Sequence, residues 1–200
     1  MRLALTFDDG PSEWTEPILD VLRDRDARGT FFVVGGRIDG REHVLRRIAA
    51  EGHKLGNHTF GHLRLPRLDE SEIRRELGRT EEAVRGVLGS GCTVFRPPGL
   101  EHDDRAVPIA ASLGLREVGA DVVPEDWRSD VDAKTIVQRV LEGARPGAIV
   151  DLHDGFPPNR RTSRTDCAPT VAAVRVLVPE LQEQGYELVT VSALSRARAS

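Results

Sequence analysis

Short apolar runs alternate along the chain with longer segments whose apolar residues recur at helical spacing. Arg2–Phe7 has the pattern of a buried strand, and Gly10-Pro11 breaks it soon afterwards. Thr30–Val34 is a second strand pattern, rich in β-branched and aromatic residues. Repeated alternation of this kind predicts an α/β fold whose mainly parallel strands close, or nearly close, into a barrel.

The same pattern locates the remaining elements. The predicted helices run from Ile18 to about Asp26, Arg41 to Glu51, Leu68 to Leu88, Asp103 to Leu113, Asp132 to Glu142 and Pro169 to about Gln184. The further predicted strands are His53–Asn57, Thr93–Arg96, Leu115–Ala120, Ala148–Leu152 and Tyr186–Val191. Arg160–Thr165 is expected to be an exposed loop. No linker or low-complexity segment interrupts the pattern, so residues 1–200 are expected to form a single domain.

Charge and cysteine content exclude several classes of function. The formal net charge is −4, and arginines are interleaved with acidic residues, so neither a nucleic acid nor an acidic membrane is the expected partner. Cys92 and Cys167 lack CxxC spacing and are expected to be reduced thiols. No apolar run approaches the roughly 18 residues of a membrane span. Nothing in the sequence indicates an obligatory protein partner.

The amino terminus bears on location. Met1-Arg2-Leu3 leads directly into the first predicted strand, which leaves no room for a signal peptide. The sequence as given therefore predicts a cytoplasmic protein, although an exported enzyme whose leader had been removed would read the same way.

Most of the polar residues that could take part in catalysis or bind a metal come directly after a predicted strand. In a parallel β/α fold those positions meet on one face, where active sites are found. For Asp8-Asp9 alone, a solvated turn would be an equally good interpretation. A solvated turn would, however, have to be assumed separately at each of the candidate positions. The candidates are Asp8-Asp9, His58–His62, Arg96, Asp126-Trp127 and His153-Asp154.

Asn57–His62 carries two histidines four residues apart. If this loop turns helically, His58 and His62 lie on one side and can bind a single ion. Two imidazoles and one carboxylate leave a coordination position open, as in catalytic zinc sites. One aspartate of the Asp8-Asp9 pair is therefore expected to bind a divalent metal, and the other to act as a base.

The other strand-end residues fit supporting roles. Arg96 can pair with the free carboxylate and hold it ionised. His153 can protonate a leaving amine, and Asp126 can orient and charge that imidazole. Standing alone, Arg96 would be interpreted as a surface arginine and His153 as a core histidine.

These motifs resemble the polysaccharide deacetylase family, the NodB-homology domain of carbohydrate esterase family 4. The resemblance extends from about Leu3 to Leu194. The residues that carry it are Thr6-Phe7-Asp8-Asp9-Gly10-Pro11, His58-Thr59-Phe60-Gly61-His62, Arg96-Pro97-Pro98, Asp126-Trp127 and Leu152-His153-Asp154.

The resemblance implies a distorted (β/α) barrel and a metal-dependent hydrolase that removes N-acetyl, less often O-acetyl, groups from a carbohydrate. A water activated by the metal would attack the amide carbonyl. The implied metal ligands are Asp9, His58 and His62, and zinc is the expected ion. The implied base is Asp8, positioned by Arg96, and the implied acid is His153, tuned by Asp126. The substrate-binding candidates are Pro98, Gly99, Trp127 and Asp151.

Two positions depart from the family pattern. Gly99 stands where an aromatic residue is usual, so the groove is expected to be more open there, although the Gly99 N–H can still serve the oxyanion. Asp151 replaces an apolar residue and should face the site, because Ile149, Asp151 and His153 alternate onto one face. Two interpretations of Asp151 stay open, an ion pair with a nearby arginine and recognition of a cationic or hydroxylated substrate group.

Three alternative functions stay open, of which two concern the substrate and one concerns catalysis itself. A member without an export signal and with an altered pocket could act on an acetylated small molecule instead of a polymer. The second alternative is hydrolysis of another amide, because some relatives of these deacetylases hydrolyse cyclic ureides or imides. A non-catalytic carbohydrate-binding relative is the third, and it would be expected to lack some of the residues implied in catalysis, all of which are present here.

Overall fold

The computed structural model describes residues 1–156 and 166–197, so the loop predicted over Arg160–Thr165 lies outside the described residues. The strands are β1 Arg2–Asp8, β2 Gly29–Val33, β3 Lys54–Asn57, β4 Val94–Phe95, β5 Arg116–Glu117, β6 Ile149–His153 and β7 Glu187–Leu188. The helices are α1 Thr15–Asp24, α2 Glu42–Ala50, α3 Glu70–Leu88, α4 Ala106–Ser112, α5 Ala133–Gly143, α6 Ala168–Glu183 and α7 Val191–Ala197.

The strands form one parallel sheet in the order β5-β4-β3-β2-β1-β6, and β7 pairs with the start of β1. After β5 the chain returns to the far side of the sheet, where Val122 forms a parallel bridge with Val150 of β6. The sheet therefore curls toward closure without a full set of regular strands. This confirms the predicted α/β fold, a distorted (β/α) barrel with parallel strands.

Side-chain alternation along β1 separates two apolar layers. Leu3, Leu5 and Phe7 are buried in the large cluster between the sheet and the surrounding helices. Ala4 belongs to a smaller cluster inside the barrel, together with Phe32, Val94, Val118, Val189, Val191 and Leu194. Thr6 and Asp8 lie on the same face of β1 as Ala4. This strand therefore directs polar side chains into the barrel, above the smaller apolar cluster.

The carboxyl-terminal prediction requires a correction. Tyr186–Val191 was expected to be one strand, but β7 ends at Leu188 and Val191 begins helix α7. The side chains of Val191 and Leu194 pack into the cluster inside the barrel. Burial against the open end of the barrel therefore decides the conformation of this segment, and its β-branched composition does not.

Helix α3 supports the loop that follows β3. Asp69 caps this helix with its side chain, and a reciprocal bond from the Asp69 amide to Glu72 completes a capping box. The Asn57 amide at the end of β3 donates to Leu77 O and to Glu81 of α3, both at 3.0 Å. None of the helices in the described part of the chain combines the length and hydropathy needed to cross a bilayer.

Candidate active site

The polar candidates meet at the carboxyl ends of β1, β3, β4 and β6. Asp8 and His153 are register partners on neighbouring strands, and Thr6 and Asp151 are partners two residues deeper. Because side chains alternate along a strand, these four residues line the same inner surface of the barrel. The sheet register alone therefore brings together side chains that are about 145 residues apart along the chain.

Asp9 leaves the strand with a left-handed backbone, with φ of 76°. Neighbouring residues of a regular strand point to opposite faces, but this conformation turns Asp9 back toward the side occupied by Asp8. Asp8 Oδ2 lies 3.6 Å and Asp9 Oδ1 lies 3.5 Å from Nε2 of His58. The two adjacent carboxylates thus reach a common imidazole.

The His58–His62 loop is not helical, which corrects the way the histidine pair was expected to form. Thr59 and His62 both have positive φ, 63° and 53°. The Thr59 amide donates to Asn57 Oδ1 at 2.9 Å and fixes the turn. The two imidazole rings nevertheless face each other with centroids 5.0 Å apart.

The donor atoms of Asp9, His58 and His62 lie within 4.8 Å of one another, a spacing that one ion can bridge. His58 Nδ1 lies 2.8 Å from the carbonyl oxygen of Arg96, so Nδ1 carries the proton and Nε2 presents a lone pair. Burial lowers the pKa of His58 well below its usual value, with a further contribution from His62, and keeps the ring neutral. A lone pair and a carboxylate oxygen that face each other suit a shared cation. These residues therefore fit a divalent metal.

Arg96 is a fully buried guanidinium at the end of β4. Its Nη1 donates to Thr6 Oγ1 at 2.7 Å, Asp8 Oδ1 at 2.9 Å and Asp151 Oδ1 at 3.0 Å. Its Nη2 and Nε donate to backbone carbonyls, and the guanidinium lies 4.3 Å from the centroid of the Phe32 ring. The cation compensates two buried carboxylates at once.

Asp126 holds His153 through two hydrogen bonds, and Thr170 Oγ1 donates to the same carboxylate at 2.8 Å. Burial of the imidazole is the largest influence on its pKa and acts to lower it. The charge and hydrogen bond of Asp126, together with the charges of Asp151 and Asp9, outweigh burial and raise the pKa of His153 to about 10. The ring is therefore protonated at neutral pH. Trp127 packs edge-on against it with ring centroids 5.1 Å apart.

The cavity at this site has a volume of about 120 Å³. It is lined by Asp8, His58, His62, Gly99, Leu100, Trp127, Asp151 and His153. A wider surface cavity of about 540 Å³ adjoins it through His62 and Gly99 and includes Pro98, Arg64, Arg67 and Glu101. Pro98 therefore lies in the outer cavity, whereas Gly99 borders both.

Comparison with known proteins identifies the family of this chain. The family model described as polysaccharide deacetylase matches residues 1–118. A chitooligosaccharide deacetylase of Bradyrhizobium is 39% identical over 191 residues, which cover 92% of this chain and 86% of that protein. The chain belongs to the polysaccharide deacetylase family.

Solved structures extend the relationship to the whole barrel. Peptidoglycan deacetylase PdaC from Bacillus subtilis is 35% identical with a TM-score of 0.85, and the match covers 99% of this chain and 91% of that one. A family 4 acetyl xylan esterase from Clostridium thermocellum, solved with a cobalt ion, is 31% identical with a TM-score of 0.89. That match covers 100% of this chain and 92% of the esterase. The polysaccharide deacetylase family is metal-dependent, and the described residues supply a candidate site.

Several residues at the site were not assigned a role from sequence. Thr6 could have been found, because strand alternation places it on the same face as Asp8. Leu100 lines the inner cavity beside Gly99, with φ of 57° and 68° respectively. Thr170 has no sequence signal, because it reaches Asp126 from helix α6.

Asp154 also had no assigned role. Its carboxylate accepts from the Gly10 amide at 3.1 Å and from Thr15 Oγ1 at 2.5 Å. Burial raises the pKa of Asp154 to about 6, although these hydrogen bonds act in the opposite direction. The contacts tie the loop after β6 to the turn that carries Asp9.

Proposed function

We propose that this protein is a divalent-metal-dependent hydrolase that removes the acetyl group from an N-acetylated amino sugar. The observation that carries the proposal is the placement of Asp8 and His153 around one cavity whose wall also contains His58 and His62. Membership of the family and the relatives named as chitooligosaccharide and peptidoglycan deacetylases support the substrate class.

Asp9, His58 and His62 would hold the metal. Two imidazole nitrogens and one carboxylate oxygen favour zinc and leave a coordination position open. When bound, such an ion polarises a carbonyl group and lowers the pKa of a water molecule.

Asp8 is proposed to accept the proton of the attacking water. Its buried position raises the pKa of the carboxyl well above its usual range, while the Arg96 guanidinium opposes that rise. A carboxylate with raised basicity is a better proton acceptor near neutral pH. The hydrogen bond from Arg96 fixes its orientation, which makes Arg96 a positioning residue.

His153 is proposed to donate a proton to the departing amine. Its Nδ1 is bound to Asp126, so Nε2 is the nitrogen that can deliver the proton. Trp127 limits the movement of the ring on the open side. Gly99 borders the cavity and is proposed to offer its N–H to the oxyanion, with no side chain beside the substrate.

Acetate release from N-acetylglucosamine oligomers tests the proposal. Wild-type protein is treated with a chelator, dialysed and assayed with and without added zinc. Turnover should vanish on chelation and return with zinc, and His58→Ala should abolish it. His43→Ala is the matched control, because the His43 side chain on α2 is 63% exposed.

Two results would contradict the proposal. The first is an undiminished rate in protein shown to be metal-free. The second is zinc-loaded wild-type protein that releases no acetate from any amino sugar. Turnover of a cyclic ureide in the same screen would instead favour the alternative that the protein hydrolyses cyclic ureides or imides.

A further inference from the structure

The inner end of the 120 Å³ cavity carries a carboxylate that the proposed proton transfers do not use. Asp151 lies on β6 with a side chain 4% exposed. Its Oδ1 accepts from Arg96 at 3.0 Å, which is the ion pair left open by the sequence. Its Oδ2 has no hydrogen-bond partner within residues 1–156 and 166–197. One oxygen is therefore committed to the protein, and the other is available to a molecule in the cavity.

Asp151 lies deeper in the barrel than the residues proposed to react. It precedes His153 by two residues on the same face, so its backbone lies about 6.6 Å deeper along the strand. Its carboxylate still reaches within 4.8 Å of donor atoms of Asp8 and His153. A substrate amide with its nitrogen at His153 and its carbonyl carbon near Asp8 would direct the acyl substituent inward. That substituent is the part of the substrate closest to Asp151.

The chemistry of a carboxylate oxygen determines which acyl groups suit this position. A methyl group placed against Oδ2 displaces water from a charged acceptor and returns no hydrogen bond. A hydroxyl group on the same carbon donates to the oxygen and satisfies it. A site with a buried polar group discriminates strongly against an analogue that cannot pair with it.

Resting on the proposed hydrolase function, we propose that Asp151 is a specificity-determining residue that selects acyl groups with a hydroxyl on the α-carbon. The substrate class is an N-hydroxyacetyl amino sugar. An N-acetyl group is accepted less well, because its methyl group cannot donate a hydrogen bond to the carboxylate.

The test compares oligomers of glucosamine that carry N-hydroxyacetyl, N-propionyl or N-acetyl groups. Hydroxyacetyl and propionyl have the same number of non-hydrogen atoms, so their comparison isolates the hydroxyl from size. Wild-type kcat/KM, measured as amine release, should favour hydroxyacetyl over propionyl by about tenfold or more. In Asp151→Leu the ratio should fall below one, and Asp151→Asn should retain part of the preference.

Each outcome separates the two proposals. A wild-type ratio at or below one overturns the specificity of Asp151 while leaving the deacetylase function in place. Wild-type protein that hydrolyses none of the amides overturns the deacetylase function itself. If Asp151→Leu does not fold, as judged by thermal unfolding, Asp151→Asn decides the question. An unchanged ratio in a folded variant would assign Asp151 a structural role only.

Discussion

Asp126 receives two hydrogen bonds from the same residue, one from the His153 backbone amide to Oδ2 and one from the ring Nδ1 to Oδ1, each 2.8 Å long. The first fixes the backbone from which the ring extends, and the second fixes the tautomer. The position of the proposed acid therefore depends on this one carboxyl group, which is also the main group that raises the pKa of the ring.

Replacing Asp126 with Asn should shift the pH dependence of catalysis. The amide keeps a similar shape but loses the charge that raises the pKa of His153 to about 10. The protonated imidazole would then be lost at lower pH, so the basic limb of the kcat/KM profile should move downward. Asp130→Asn is the control, because Asp130 is exposed and pairs with Arg128. An Asp126→Asn profile with the wild-type basic limb would contradict the assigned role.

Replacing Arg96 with Met should destabilise the protein strongly. The substitution leaves the buried carboxylates of Asp8 and Asp151 without their cation. Loss of one partner of a buried ion pair costs about 3–5 kcal/mol, whereas loss of an exposed pair costs about 1 kcal/mol or less. Urea unfolding of Arg96→Met and of the exposed control Arg128→Met measures the difference. Equal free energies of unfolding would be inconsistent with this prediction.

His53 should make the protein less stable in mild acid. The Gly29 amide donates to His53 Nδ1 at 3.1 Å, which requires a neutral ring, and burial lowers the pKa of His53 to about 4. Between pH 6.5 and 4 the unfolded chain binds more protons than the folded one. The free energy of unfolding contributed by this residue therefore falls as pH falls, by at most about 1.4 kcal/mol per pH unit.

Urea unfolding at pH 7, 6 and 5 isolates this contribution when wild type is compared with His53→Gln. The difference in free energy of unfolding between the two proteins should change across the series. His43→Gln supplies the control for an exposed imidazole. A pH-independent difference for His53→Gln would show that burial does not suppress its charge.

Of two Gly→Ala substitutions, one should impair the metal site and the other should stabilise the protein. A Cβ at Gly155 would lie 2.5 Å from the Asp9 carbonyl oxygen, closer than van der Waals contact allows. The Asp9 backbone would have to move, so Gly155→Ala should lower metal affinity or activity by about tenfold or more. Gly78 lies within α3 with nothing near its Cβ position, so Gly78→Ala should stabilise the protein by about 0.5–1 kcal/mol. Calorimetric zinc titration and thermal unfolding of both variants measure these effects.

The sequence was sufficient to predict the order of elements from β1 to β7 and the meeting of polar residues at strand ends. Both depend on repeating patterns, namely β/α alternation and the direction shared by parallel strands. The resemblance to the deacetylases is confirmed by the family match, and the individual catalytic and metal-binding roles stay predictions.

The sequence did not predict how the site is assembled locally. The histidine loop depends on left-handed backbone at Thr59 and His62. This conformation is rare for a β-branched residue such as Thr59, and His adopts it only in a minority of cases. Helix α7 forms because Val191 and Leu194 are buried at the barrel end. The pairing of Asp151 with Arg96 needed coordinates, since alternation gives a face but no partner.

The register between β1 and β6 constrains how this enzyme can diverge. Asp8 and His153 lie on adjacent strands, so their separation follows the spacing of a sheet, about 4.8 Å, and no loop sets it. A single inserted or deleted residue in either strand would turn one side chain to the opposite face. Descendants of this chain can therefore lengthen or shorten the loops around His62 and Gly99 as their substrates change. In β1 and β6, by contrast, the number of residues should stay fixed, because a change in length would separate Asp8 from His153.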